Sequence, residues 1–140
     1  MSDTPISLKS LMTPSKTVTI DFPGYTDFTV DVTYLAREEL LKLRKKCLTT
    51  KFDKKTRQPI EDFDEDIFLK EYCKSVIKGW SGLKYRYLEE LLLVDISALD
   101  PEDELVHTAE NAELLMRNSS DFDSWITEIV GDLENFTGNK

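Results

Sequence analysis

The sequence predicts a mainly α-helical α+β fold, in which an N-terminal β-hairpin precedes a bundle of about five helices. Two period-two runs around Pro23-Gly24 predict the hairpin, and apolar residues at three- and four-residue spacing predict the helices. A hairpin alone is marginally stable in water, so its apolar face is expected to dock on the helices. The expected organisation is a flexible N-terminal arm at 1–15, a single domain at 16–136 and a flexible C-terminal tail at 137–140.

The hairpin prediction depends on the alternation of apolar and polar residues. Val18, Ile20 and Phe22 are separated by polar residues, which places their side chains on one face of a strand. After Pro23-Gly24 the same alternation returns over residues 28–32. Two alternating runs joined by turn residues indicate a pair of antiparallel strands.

Five later segments have the apolar spacing of one helical face, over about 37–49, 64–78, 84–94, 108–118 and 121–136. Asp64 and Thr108 have the short polar side chains that cap helix N-termini. The segment 51–61 is basic and polar and contains Pro59, so a basic loop is expected there. The last segment has the strongest amphipathic pattern in the chain.

The stretch Gly79-Trp80-Ser81-Gly82 is expected to end the second helix. Gly79 stands where a left-handed C-terminal cap is favoured, and Gly82 permits a tight turn. A tryptophan between two such breaks is most simply an anchor that closes the turn onto the core. We therefore predict that Gly79, Trp80 and Gly82 are structural anchors.

The net charge of −9 is unevenly distributed, since residues 1–60 carry +4 and residues 61–140 carry −13. An acidic surface repels phosphate backbones, so no nucleic-acid partner is expected. The chain has no apolar run of about 18 residues, so no membrane contact is expected. Residues 1–10 lack the basic start and apolar core of a secretory signal, which favours a cytoplasmic location.

Candidate catalytic and metal-binding residues do not form a recognisable set. His107 is the single histidine, and Cys47 and Cys73 lie far apart without a CxxC spacing. The acidic run 62–66 resembles the start of a calcium-binding loop, but Ile67 and Cys73 stand where glycine and glutamate are needed. We therefore expect no cofactor, no bound metal and no enzymatic activity.

Two sets of side chains are candidates for a client-binding or self-interaction surface. One is the apolar stripe of the last predicted helix, although a core-facing helix explains such a stripe more simply than an exposed groove. The other is basic, although a solvated face explains it more simply than a binding site. The candidate residues are Phe122, Trp125, Ile129, Leu133, Phe136, Lys45, Lys46, Lys54, Lys55 and Arg57.

Charge segregation also predicts self-association. Residues 37–57 are net +6 and residues 100–135 are net −10, which favours head-to-tail contacts that form rings or helices. Exposed pairs are screened beyond about 8 Å at physiological ionic strength, so a homo-oligomer should weaken as the salt concentration rises. In the alternative, the basic segment pairs with the acidic half of its own chain.

The order of the predicted elements and the motifs between them are informative together. After the hairpin these motifs are, in order, Glu38-Glu39-Leu40, Lys78-Gly79-Trp80-Ser81-Gly82-Leu83, Thr108-Ala-Glu-Asn111, Phe122-Asp-Ser-Trp125 and Leu133-Glu-Asn-Phe136. In this arrangement the chain resembles the tail assembly chaperones of long-tailed, siphovirus-type bacteriophages. The resemblance covers about residues 16–136.

The resemblance implies a protein without catalytic residues that coats the tape measure protein before tail tube subunits polymerise around it. In that family a longer product of a programmed ribosomal frameshift recruits the tail tube protein, and this chain would be the short, non-frameshifted form. Such a chaperone acts in the host cytoplasm and is absent from the mature virion. A minor structural protein of the tail or head–tail junction is the alternative, and an acidic regulator that binds a host protein is a third hypothesis.

Overall fold

The computed structural model describes residues 5–12 and 15–137, which form seven helices and five strands in two small antiparallel sheets. The described chain is therefore a mixture of α and β structure. Residues 1–4, 13–14 and 138–140, which hold parts of the expected arm and tail, lie outside the described residues.

The elements alternate along the chain. The helices are α1 (Leu8–Leu11), α2 (Arg37–Lys46), α3 (Glu65–Val76), α4 (Tyr85–Leu91), α5 (Ala109–Asn118), α6 (Ser120–Gly131) and α7 (Glu134–Thr137). The strands are β1 (Thr17–Asp21), β2 (Thr29–Thr33), β3 (Leu48–Phe52), β4 (Pro59–Phe63) and β5 (Ile77–Ser81).

The first sheet has the order β1-β2-β5, so β2 is its central strand. β1 and β2 form an antiparallel hairpin across Pro23-Gly24, with Ile20 opposite Val30. β5 pairs with the other edge of β2, with Trp80 opposite Val30, and the register shifts by a bulge just before Val32. Val30 and Val32 are fully buried, so one face of the sheet forms part of the core.

Helices α3, α5 and α6 cover that buried face of the sheet. α3 and α6 both contact β2, and α5 packs against α3 and α6. The largest completely buried side chains are therefore shared between the sheet, its flanking loops and these helices: Phe28, Val30, Val32, Val76, Leu83, Leu115, Phe122 and Ile126. They form one hydrophobic core.

The predicted hairpin followed by a bundle of about five helices is wrong. A short helix, α1, precedes the first strand, which starts at residue 17. The expected basic loop at 51–61 belongs mostly to a second hairpin, β3–β4, and the expected turn at 79–82 belongs mostly to β5. The correct class is a mixed fold with two sheets.

β5 forms because β2 offers an unpaired edge that local sequence patterns do not reveal. α3 ends at Val76, and Ile77 already has extended backbone, with φ −105° and ψ 108°. Gly79 lies inside the strand and does not adopt the positive φ of a left-handed helix cap. Pairing with β2 satisfies backbone groups and provides the third strand that a marginal hairpin lacks.

The β3–β4 hairpin was hidden by its polar composition. Leu48 lies opposite Phe63 and Phe52 lies opposite Pro59, with Thr49 and Thr50 between them on β3. Arg57 closes the turn in a left-handed conformation, with φ 57°. Threonine and aromatic residues favour strands, but the basic side chains interleaved with them indicate a loop when the sequence is read alone.

The predicted helix starts are confirmed by side-chain caps. Asp64 accepts hydrogen bonds from the backbone N–H groups of Asp66 and Ile67, both at 3.1 Å. Thr108 accepts one from Asn111 at 3.0 Å. These caps satisfy amide groups that have no partner within the helix, so local sequence was sufficient to place them.

Gly82 is the position where the backbone tolerates no side chain. Its φ is +79°, and a Cβ atom there would overlap the carbonyl oxygen of Asp27. We predict that Gly82→Ala lowers the free energy of unfolding by about 2–4 kcal/mol, because strain and overlap add. Urea denaturation measures this difference.

The matched control is Gly131→Ala, since Gly131 lies at the end of α6 with open space where its Cβ would be. That variant should change the free energy of unfolding by less than about 1 kcal/mol. Equal effects of the two substitutions would contradict the close approach of Gly82 to Asp27.

Candidate protein-binding groove

An open groove lies between α2 and the β3–β4 hairpin. It has a volume of about 460 Å³ and is lined by Leu41, Arg44, Lys45, Leu48 and Phe63. Leu41 and Lys45 are one helical turn apart, so both point from α2 toward the same side. Leu48 and Phe63 are cross-strand neighbours on the hairpin, so their side chains share one face.

The hairpin carries further exposed apolar residues beyond the groove. All five residues of β3 are exposed, and Leu41 and Phe52 keep 54% and 64% of their surface accessible. Because paired residues share a face, Phe52 and Pro59 lie on the same hairpin face as Leu48 and Phe63, with the polar pair Thr50 and Glu61 between the two apolar pairs. Scattered exposed apolar residues are ordinary, so the candidate binding surface is the groove itself, where Leu41, Leu48 and Phe63 lie together.

Aromatic contacts fix the floor of the groove to α3. The ring centroids of Phe63 and Phe68 are 5.4 Å apart, and those of Phe68 and Tyr72 are 5.6 Å apart. The Arg44 guanidinium lies 5.1 Å from the Phe63 ring centroid and 5.6 Å from that of Phe68. This cation–π stacking holds a positive charge at the edge of an apolar surface.

The predicted basic residues gather around the same groove and hairpin. Lys45 lines the groove and Lys46 follows it on α2, while Lys54, Lys55 and Arg57 lie at the hairpin tip. Among the residues that the structure describes, none of these five has a carboxylate within ion-pair distance. The positive charge around the groove is therefore left for solvent or for a partner.

One lysine of the hairpin is paired within it. Lys51 Nζ lies 2.7 Å from a carboxylate oxygen of Asp62, and the hydrogen bond to Asp62 raises the pKa of Lys51. Both side chains are largely exposed, so the pair adds little stability. Lys51 and Asp62 lie on the hairpin face that points away from the groove.

The apolar stripe of the C-terminal segment packs mainly into the core. Phe122 and Phe136 are buried, Trp125 and Ile129 are half-buried, and Leu133 alone of the five keeps a majority of its surface exposed. Phe122 and Trp125 contact the ring of Phe22, with centroids 6.0 and 4.7 Å away. The stripe covers the first sheet, so it does not come together with the basic residues.

Trp80 occupies a structural position in the first sheet, where it packs against the core. Its indole Nε1 donates a 2.8 Å hydrogen bond to the carbonyl oxygen of Leu105, and its ring meets His107 edge to face at 4.9 Å. Leu105 in turn donates its backbone N–H to Leu83. Trp80 thus ties the loop 92–108 to β5, between Gly79 and the constrained Gly82.

Sequence reasoning missed the apolar residues of the groove. The candidate residues predicted from the sequence do not include Leu41, Leu48, Phe52 or Phe63. The signal in the sequence is that Leu48, Thr50 and Phe52 stand at every second position, which places them on one face of a strand. Only the structure reveals that this strand leaves its apolar side uncovered.

The reactive side chains are dispersed. In the described chain no group of three His, Cys, Asp or Glu residues is placed to hold a metal ion. Burial lowers the pKa of His107, whose Nε2 has no hydrogen-bond partner among the described residues. Cys47 and Cys73 are free thiols in the core, and Cys47 Sγ donates to the carbonyl oxygen of Leu43 at 3.3 Å.

Comparisons of this chain with models of known protein families, with curated proteins and with solved structures find no match. No helix within the described residues is long and apolar enough to cross a membrane.

Burial determines how the two thiols should react. It raises the pKa of Cys73 from 9.0 to about 12 and also raises that of Cys47, so the folded protein holds less thiolate than the unfolded chain. We predict that neither thiol reacts quickly with Ellman's reagent at about pH 8, and that both react after unfolding in urea.

A Glu128→Cys variant is the control, because Glu128 is an exposed residue of α6. It should add one thiol that reacts quickly in the folded protein. Rapid reaction of the unmodified sequence under the same conditions would contradict the burial of Cys47 and Cys73.

Proposed function

We propose that this chain is a tail assembly chaperone of a long-tailed bacteriophage, and that its groove binds an amphipathic helical segment of the tape measure protein. The observation that carries the proposal is an apolar groove with a basic rim that no part of the described chain covers. Grooves of this kind bind the apolar face of a partner helix.

The groove has the two features that helix recognition needs. Leu41, Leu48 and Phe63 provide an apolar floor that can receive side chains spaced one helical turn apart. Arg44 and Lys45 lie beside that floor and suit acidic residues flanking the apolar face of the client. The preferred client segment is therefore an amphipathic helix with an acidic border.

The charge of the chain supports the same proposal. A protein that displays apolar surface risks precipitation, and the net charge of −9 favours solubility through mutual repulsion. Arg44 and Lys45 at the groove locally offset the negative charge of the chain. Electrostatic repulsion of an acidic client is therefore weakest at the groove. Solubility combined with an uncovered apolar groove is what a chaperone for an aggregation-prone helical client requires.

The proposal includes the partners and location that the resemblance implies. The tape measure protein is the client, and the tail tube protein is recruited through a longer frameshifted product. The protein acts in the host cytoplasm, is absent from the mature virion and has no catalytic role or cofactor.

The test is co-expression of the full chain with the tape measure protein of the same phage, followed by affinity purification. The measured quantities are the soluble fraction of the tape measure protein and the amount that copurifies. We predict that Leu41→Glu and Leu48→Glu each weaken binding by roughly tenfold or more, as changes at central apolar anchors do. Both side chains are exposed, so the fold should be retained.

Leu11→Glu is the matched control, since Leu11 is an exposed leucine on α1 that does not line the groove. It should bind the tape measure protein as the unmodified chain does. Failure of the unmodified chain to solubilise or retain the tape measure protein would refute the proposal. Stoichiometric amounts of the chain in purified virions would favour the minor structural protein instead.

A further inference from the structure

The strand β3 lies at an edge of the second sheet. Within the described residues it pairs with β4 alone, and all five of its residues are exposed. A two-stranded sheet is marginally stable in water, and a third strand with an apolar face stabilises it. The outer side of β3 is therefore a place where an added strand would improve the structure.

Backbone hydrogen bonds at the two ends of the hairpin show which of its residue pairs are hydrogen-bonded. Asp64 donates its N–H to the carbonyl oxygen of Cys47 at 2.9 Å, just outside the first pair of the ladder. Asp53 donates its N–H to the carbonyl oxygen of Gln58 at 3.0 Å, just outside the last pair. Hydrogen-bonded and non-hydrogen-bonded pairs alternate along an antiparallel ladder. The first, third and fifth of the five pairs between β3 and β4 are therefore non-hydrogen-bonded.

Residues of non-hydrogen-bonded pairs direct their backbone N–H and C=O groups away from the partner strand. On β3 these residues are Leu48, Thr50 and Phe52. In the part of the chain that the structure describes, no other segment forms a backbone hydrogen bond with them. A row of outward donors and acceptors is what an added strand pairs with, so β3 offers a template for one more strand.

The opposite edge of the hairpin is less suited to pairing. By the same alternation, the outward residues of β4 are Pro59, Glu61 and Phe63. Pro59 has no N–H to donate, and proline is one of the residues that protect strand edges. β3 is thus the edge with the complete set of donors.

Lysines lie at both ends of β3. Lys45 and Lys46 precede it on α2, and Lys54 and Lys55 follow it in the turn. All four are exposed, and none has an ion-pair partner among the described residues. An extended segment with acidic residues at both of its ends would complement these charges.

We propose that β3 binds an extended acidic segment of another protein, which adds to the hairpin as a third strand. Main-chain hydrogen bonds to Leu48, Thr50 and Phe52 supply the affinity, and the flanking lysines select acidic ends. A helix already uses its own backbone groups, so it cannot pair with this edge. A second copy of β3 would bring the lysines of both copies together.

The inference goes beyond the proposed function, because a helical client in the groove does not use the backbone edge of β3. Its test needs no tape measure protein. The probe is a synthetic peptide in which a pair of glutamates stands at each end of five alternating valine and threonine residues, which matches the length of β3.

The first measurement is amide hydrogen exchange of the full-length chain by NMR. Without the probe, the amides of Leu48, Thr50 and Phe52 should exchange faster than those of Thr49 and Lys51, which lie inside the ladder. The probe should slow exchange most at the three outward amides, because these are the groups that it pairs with.

Two variants of the probe separate backbone pairing from other contacts, with affinity measured by fluorescence anisotropy of labelled peptide. A peptide methylated at the five central amide nitrogens keeps the side chains but loses the donors. A peptide with lysines in place of the glutamates keeps the donors but reverses the charge. At low ionic strength, each should bind at least about tenfold more weakly than the probe.

Two proline variants of the chain assign the binding to one edge. Thr50→Pro removes an outward donor of β3, and Glu61→Pro removes the outward donor directly opposite on β4. Both N–H groups lie outside the hairpin ladder, so the hydrogen bonds between the strands are retained. Thr50→Pro should weaken binding of the probe by roughly tenfold, and Glu61→Pro should bind as the unmodified chain does.

Circular dichroism and urea denaturation establish whether the proline variants fold, and the methylated peptide decides the question on the unmodified chain if they do not. The inference is overturned if the probe does not bind, if the methylated peptide binds equally well, or if folded Thr50→Pro retains the probe. Protection of the outward amides that rises with protein concentration alone would assign the edge to a second copy and overturn it. Equal protection by an amphipathic helical peptide would also overturn it.

Discussion

Pairing of β2 on both of its edges is the constraint on which the rest of the structure depends. β1 and β5 flank it, and its buried valines lie under α3 and α6. Because β5 must reach that second edge, α3 ends at Val76 and the chain turns at Gly82 against Asp27. β5 thereby covers the second edge of β2, and β1 and β5 are the edge strands of the sheet.

The same sheet determines which apolar surfaces remain available to partners. The apolar face of this sheet must be buried, and the C-terminal helices α6 and α7 pack on it with Phe122 and Phe136. The strongest amphipathic pattern in the chain is thereby used for folding. Some of the apolar side chains that remain exposed lie where the sequence signal is weaker, as Leu41 and Leu48 do in the groove beside α2.

Features that depend on neighbouring residues could be predicted from the sequence, and features that depend on distant parts of the chain could not. The hairpin across Pro23-Gly24 and the caps at Asp64 and Thr108 arise from neighbouring residues, and they were predicted. β5 requires the distant edge of β2, and β3 has only Leu48 and Phe52 as apolar residues beside Thr49, Thr50 and Lys51, so neither was predicted. For the candidate site, the charge pattern singled out Lys45, which lines the groove, but periodicity could not distinguish a covered apolar stripe from an uncovered one.

The basic residues of the second hairpin bear on two properties, its resistance to aggregation and the choice of partner under the proposed function. A two-stranded sheet has two free edges, and exposed Phe52 and Ile60 add to the risk of nonspecific pairing. Lysines on and beside such strands oppose that pairing, because stacked copies would bring like charges together. Under the function proposed above, the same charges would attract the acidic border of a client helix while disfavouring identical hairpins. The residues around Lys45 and the hairpin tip would then both suppress aggregation and select the partner.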